Sequence, residues 1–151
     1  MCIRDRYLRF LSREIRMTVR GLRVLLTHTS PGSGKEYLTL ATSEEELREV
    51  AAAAQADVII SGYSHHPFVR QVDGVWFINP GSTGQPLDGD PRASYATLDF
   101  SPELNVEHFR IEYDVDAHVD ALREHNLPEA VCRMFLLGRD LDTVLAAGDL
   151  V

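Results

Sequence analysis

Two short apolar runs, Leu22-Arg-Val-Leu-Leu-Thr27 and Ala56-Asp-Val-Ile-Ile-Ser61, restrict the folding of this chain more than any other feature. Each has the length of a buried strand rather than of a helix, and each ends in a polar, turn-forming segment. Between them lies a helix start, with Thr42 or Ser43 as N-cap and Glu44, Glu45 and Glu46 in the first turn, where the helix dipole favours acid. Leu47, Val50, Ala51 and Ala54 then follow at helical spacing. Strand, helix and strand in this order predict an α/β fold, in which chemistry gathers at the C-terminal ends of strands. Those ends carry His28 after the first run and Gly62-Tyr-Ser-His-His-Pro67 after the second.

Downstream, Phe68 to Val72 and Val75 to Ile78 flank Asp73-Gly74, the strongest short hairpin signal, and read as antiparallel neighbours. A turn-rich loop follows, Asn79-Pro-Gly-Ser-Thr-Gly-Gln-Pro86 and then Asp88-Gly-Asp-Pro91. Ala93 to Phe100 and Val106 to Tyr113 alternate like a second antiparallel pair. Val115 to Glu124, Pro128 to Leu137 and Leu141 to Ala147 show helical spacing, with Pro128 suited to a first turn and Gly138 to a helix end. Upstream, the basic stretch Tyr7 to Met17 predicts a helix. Met1 to Arg6 reads as a foreign start, like translated adapter sequence, so the expected division is residues 1–20 as a doubtful leader and 21–151 as the domain.

Composition excludes several classes of function. At 151 residues, 44% hydrophobic and 25% charged, the chain fits one ordinary globular domain. Acidic residues outnumber basic ones 23 to 15, and a net charge of -8 argues against a broad nucleic-acid-binding face. Cys2 and Cys132 stand far apart, which gives neither a disulfide framework nor a cysteine metal knuckle and suggests a reducing cytoplasm. No apolar run approaches the ~18 residues of a membrane span.

Three strand ends are expected to converge: His28, Tyr63 to His66, and Asn79 to Ser82. Imidazoles held on rigid strands are good ligands for divalent first-row metals. Other readings of the motifs fail locally. Gly32-Ser-Gly-Lys35 lacks the first glycine of a phosphate loop, where Thr29 stands, and is followed by Glu36. Ser82 is not the nucleophile of a Gly-x-Ser-x-Gly elbow, because Pro80 takes the first glycine position. Asn79 reads as turn chemistry, Trp76 and Phe77 as core, and Arg70 and Arg92 as solvated charge rather than phosphate ligands.

Leu25-Leu-Thr-His-Thr-Ser-Pro31, Ala56-Asp-Val-Ile-Ile-Ser-Gly-Tyr-Ser-His-His-Pro-Phe68 and Phe77-Ile-Asn-Pro-Gly-Ser82 resemble, in letters, order and spacing, the successive late motifs of the calcineurin-like metallophosphoesterases. The Gly-Gln-Pro86 and Asp-Gly-Asp-Pro-Arg-Ala-Ser-Tyr95 segments are similar to the small prokaryotic branch of predicted phosphodiesterases. The resemblance covers about Gly21 to Tyr113. It implies the C-terminal half of an α-β-β-α sandwich, with a mixed sheet and C-terminal helices. It also implies a hydrolase that uses two divalent cations (manganese, zinc, iron or nickel) on a small phosphate-ester or nucleotide substrate.

By position, the resemblance makes His28 a ligand of the second metal and His65 a ligand of the first. Tyr63 stands where the family has another histidine, and a neutral phenol is a poor substitute. His66 and Ser82 become candidates for substrate contact. The family's early motifs, Asp-x-His, Gly-Asp-x-x-Asp and Gly-Asn-His-Asp/Glu, do not occur upstream of Gly21. The expectation is therefore a truncated phosphoesterase that binds metal weakly and self-associates through an exposed sheet edge. A metal-poor, non-catalytic binding or scaffolding module of the same fold is the alternative.

Overall fold

The structure, a computed structural model, describes residues 7, 9–31 and 37–148. Met1 to Arg6 and Gly32 to Lys35, the subjects of the foreign-start and phosphate-loop readings, lie outside the described residues.

The two apolar runs form neighbouring parallel strands. A five-stranded sheet contains β1 (Glu14–Val19), β2 (Leu22–Thr27), β3 (Val58–Ser61), β4 (Phe68–Val72) and β5 (Val75–Asn79), in the spatial order β1-β2-β3-β5-β4. Strands β2, β3 and β5 are parallel at its centre, while β1 and β4 pair antiparallel at the edges. The register Leu25↔Ile59↔Phe77 places three fully buried side chains in one row across the sheet. Helix α1 (Glu44–Ala54) covers that face with Leu47 and Ala54. On the other face, Val24, Val58 and Ile78 meet Leu98, Phe100, Leu104 and Val106. These residues belong to or border a separate antiparallel pair, β6 (Ala93–Asp99) and β7 (Asn105–Ile111). Coverage on both faces is why the central strands read as unbroken apolar runs rather than as alternation. Burying each large side chain in the row stabilises the fold by about 1.5–3 kcal/mol. Helices α2 (Val115–Glu124), α3 (Glu129–Leu137) and α4 (Leu141–Ala146) follow, so the mixed sheet with C-terminal helices forms as expected. Among the described residues, no helix is long and apolar enough to cross a membrane.

Local chemistry explains the boundaries. Ser43 caps α1: its hydroxyl accepts from the Glu46 amide at 3.2 Å, and the Glu46 carboxylate accepts from the Ser43 amide at 3.0 Å. A capping box of this kind is worth about 1 kcal/mol. The β4–β5 turn runs through Asp73 at φ 49° and Gly74 at φ 83°, the mirror-image turn that matches strand twist. The expectation for Tyr7 to Met17 is corrected. Its later part is strand β1, whose six residues pair along their whole length with β2. Residues 20 and 21, where a domain division was expected, are the tight turn between these strands, at φ 50° and 86°. Glu14, Arg16 and Thr18 alternate with Ile15, Met17 and Val19, which suits an edge strand, and tertiary pairing decides between strand and helix here.

One ion pair links β2 to β3 and gives a pH prediction. The Asp57 carboxylate accepts from the Arg23 side chain at 2.7 and 3.0 Å and from the Arg23 amide at 2.7 Å. These bonds hold its pKa down to about 2. A depressed carboxylate pKa stabilises the fold above the unfolded value and loses that contribution as pH falls through the folded one. Because the pair is partly exposed, Asp57→Asn is expected to cost about 1 kcal/mol at neutral pH. In urea unfolding, the gap to wild type should close between pH 3.8 and about 2. A gap that is constant over this window would contradict the assignment.

Candidate active site

Because β2, β3 and β5 are parallel, their C-terminal ends emerge on one side of the sheet, and the segments that follow meet there. His28, Gly62, Tyr63, His65, Ser82 and Thr83 line an open depression, together with Pro80, Gly81 and the first residues of β6. The convergence expected of the strand ends thus forms for His28, Tyr63, His65 and Ser82. His66 is not among the lining residues; its Nδ1 bonds to the Ser64 carbonyl at 2.7 Å, and the residue is exposed.

The loop after β3 is held in a costly conformation. Tyr63 and His65 have φ of 67° and 59°, left-handed backbone that non-glycine residues adopt at a cost of about 1–2 kcal/mol each. Asn79 holds this loop in place. Its fully buried amide donates to the Gly62 carbonyl and to Ser64 Oγ, both at 2.9 Å, and its Oδ1 accepts from the Gly81 amide at 2.8 Å. One side chain therefore ties the β3 exit to the β5 exit, the turn chemistry expected of it. Its own carbonyl accepts from His108 Nε2 at 2.7 Å. Gly81, at φ 84°, is required where it stands, since a Cβ there would lie 2.5 Å from Ser94 Oγ.

The histidines differ in how they are held. His65 Nδ1 lies 2.7 Å from the Gln85 carbonyl, which only accepts, so Nδ1 is the donor and Nε2 is the nitrogen left to face the depression. A carbonyl that fixes the far nitrogen in this way is the usual support for a metal-binding imidazole. His28 is exposed, and the Tyr63 ring meets it edge-on with centroids 5.6 Å apart. Tyr37 stacks on Tyr63 at 5.3 Å and 25°. Ser82 Oγ accepts from the Gln85 amide at 3.0 Å, which steadies the segment that supplies the His65 partner.

The arginines considered for phosphate binding are engaged elsewhere. Arg70 donates to the carbonyls of Leu40 and Thr42, and Arg92 binds the Asp90 carboxylate. Phe77 is fully buried in the core beneath α1, and Trp76 packs against Val24, Val58 and Ile78 on the opposite face of the sheet. Sequence reasoning missed Gln85, Tyr37 and His108. The alternation of β7, which turns His108 inward beside Val106, was a usable signal for the last.

A family model described as the calcineurin-like phosphoesterase superfamily domain matches residues 4–103. The chain belongs to this superfamily. A metallophosphoesterase from Sphaerobacter thermophilus has the same fold at TM-score 0.70 and 27% identity, over 88% of this chain and 60% of that one. A hypothetical protein from Pyrococcus horikoshii superposes at TM-score 0.78 with 19% identity, over 88% of this chain and 53% of its own length. An uncharacterized protein of Methanocaldococcus jannaschii is 30% identical over 142 residues, 83% of this chain and 56% of that protein. This chain thus spans between half and two thirds of the length of these relatives.

Members of the superfamily generally use divalent metals. The described residues do not fit a complete centre: no three His, Cys, Asp or Glu side chains among them cluster to hold an ion. What the site offers is two imidazoles, His28 and His65, with a phenol at Tyr63. Two neutral nitrogen donors fall short of the coordination that zinc or manganese requires.

Proposed function

We propose that this chain supplies the histidine side of a metal-dependent phosphate-ester hydrolase acting on monoesters or diesters, with His28 and His65 as one ligand each for two cations. The observation that carries the reading is His65. Its Nδ1–H is committed to the Gln85 carbonyl, which leaves Nε2 as the nitrogen that can face an ion, and its loop is braced in left-handed backbone by Asn79 beside His28. A loop strained and braced at the ends of parallel strands is the arrangement expected of a reaction site rather than of a surface turn. The remaining ligands are expected from the part of the domain that the relatives carry beyond the matched length.

Tyr63 favours a second reading, a metal-poor binding module of the same fold, because it puts a phenol where the site needs a donor. The test joins the matching N-terminal part of the Methanocaldococcus relative ahead of β1 and assays bis(p-nitrophenyl) phosphate and p-nitrophenyl phosphate with manganese. Hydrolysis that is lost in His65→Ala is expected. A well-folded fusion that stays inactive both with Tyr63 and after Tyr63→His would sink the enzyme reading and leave the binding module.

A further inference from the structure

We propose that His108 is a positioning residue of the strand-end site, fixing from the second sheet the residues 79–85 that supply Ser82 and the carbonyl partner of His65. This deepens the hydrolase reading above and rests on it. His108 points inward from β7, and its Nε2 lies 2.7 Å from the Asn79 carbonyl, which only accepts, so Nε2 is the donor. Ala96 stands opposite it on β6 and is small, which leaves the ring room to reach the first sheet. Ser94, two residues earlier on the same inner face, makes two further bonds to that segment. Its Oγ donates to the Pro80 carbonyl at 2.7 Å, and its amide donates to the Ser82 carbonyl at 2.8 Å. The carbonyls of Asn79, Pro80 and Ser82 are thus all held by the β6–β7 pair.

The inner face of this pair is divided. At one end Leu98 and Val106 pack against Val24, Val58 and Ile78. At the other, Ser94, His108 and Arg110 bond to the chain between β5 and β6, Arg110 donating to the Arg92 carbonyl at 3.2 Å and pairing with Asp88. Burial alone would favour continuing the apolar row, since an imidazole taken out of water needs a bond to offset its desolvation. That bond goes to Asn79, whose side chain ties down the loop carrying Tyr63 and His65. From there the segment crosses β6, at Gly81 so closely that a Cβ would lie 2.5 Å from Ser94 Oγ. It ends on Gln85, whose amide donates to Ser82 Oγ and whose carbonyl accepts from His65 Nδ1. A shift of the Asn79 carbonyl therefore moves the partner that decides which His65 nitrogen faces the depression.

The test uses the 151-residue chain itself and reads nitrogen shifts rather than turnover, through long-range proton–nitrogen NMR of the imidazoles above neutral pH, where an ordinary histidine is uncharged. In the wild type, His108 is expected to hold its proton on Nε2 and His65 on Nδ1, each as a single tautomer. His108→Gln keeps a donor within reach of the Asn79 carbonyl, whereas His108→Asn keeps the amide on a side chain one methylene too short. The asparagine variant should lose the single Nδ1–H signal of His65 and show a mixture of tautomers, and the glutamine variant should retain it. Equal His65 spectra in the two variants would show that position 108 acts through packing or polarity alone and would overturn the proposal. If His108→Asn does not fold, the wild type and His108→Gln still decide: a His108 proton on Nδ1, or a His65 tautomer that changes in His108→Gln, overturns it. No part of this test needs hydrolysis, so the two readings fail separately. An active fusion whose His65 ignores position 108 overturns the positioning role alone. A His65 that follows position 108 beside an inactive fusion supports that role while removing the hydrolase.

Discussion

Tyr63→His is expected to tighten manganese or zinc binding by the chain by about tenfold to a hundredfold, a range set by what well-placed groups around a metal contribute. The substitution puts a third imidazole beside His28, whose ring centroid already lies 5.6 Å from that of Tyr63. Histidine is among the residues that tolerate left-handed backbone, so the loop need not rearrange to accept it. A phenol stays protonated at neutral pH and contributes little to a cation, whereas a neutral imidazole is a ready donor. Competition with a chelator of known affinity measures the change, and Tyr63→Phe is the control that should leave metal binding where it was. Equal affinity for the wild type and the histidine variant would show that position 63 does not face the cation.

The second large effect belongs to Asn79. Asn79→Leu keeps the branched shape, slightly enlarged, but removes the groups bonded to the Gly62 carbonyl, Ser64 Oγ and the Gly81 amide. Because the site is fully buried, those partners lose their bonds with little recourse to water, at a cost of about 3 kcal/mol in total. For a chain of this size that is a fall of roughly 10 °C in Tm. Asn79→Asp keeps the Gly81 bond but turns a carboxylate oxygen toward the Gly62 carbonyl, so it should recover only a small part of the loss. Thermal and urea unfolding decide the matter, and a loss below about 1 kcal/mol for Asn79→Leu would mean that the two exit loops hold their shape without the brace.

The elements that were legible in the sequence are those with strong local causes. Asp73-Gly74 permits only a narrow class of turn, and Ser43 with Glu46 marks a helix start through bonds made within four residues. The parallel core showed itself because burial on both faces leaves no polar position in β3 before Ser61. Strand β1 was misread for the opposite reason. Its conformation comes from pairing with β2, and its alternation of Ile15, Met17 and Val19 with Glu14, Arg16 and Thr18 is only six residues long and follows a basic run. In the site, His28 was legible because it follows β2 directly, and His65 because it stands in the short turn-forming segment after β3. His66 was not separable from His65 by spacing; the structure separates them through the carbonyls each ring bonds, Gln85 for one and Ser64 for the other. The Gln85 contact spans 20 residues and uses a backbone atom, so no side-chain motif announces it.

The left-handed backbone at positions 63 and 65 also bears on how this loop can evolve. Glycine at either position would release about 1–2 kcal/mol of strain, so drift toward greater stability favours losing the ring that each position presents. Histidine and tyrosine survive there only while something other than folding rewards them. The loop thus serves as a gauge of selection. In a lineage where the site has fallen out of use, positions 63 and 65 should turn to glycine or asparagine early, before Asn79, whose loss harms folding itself.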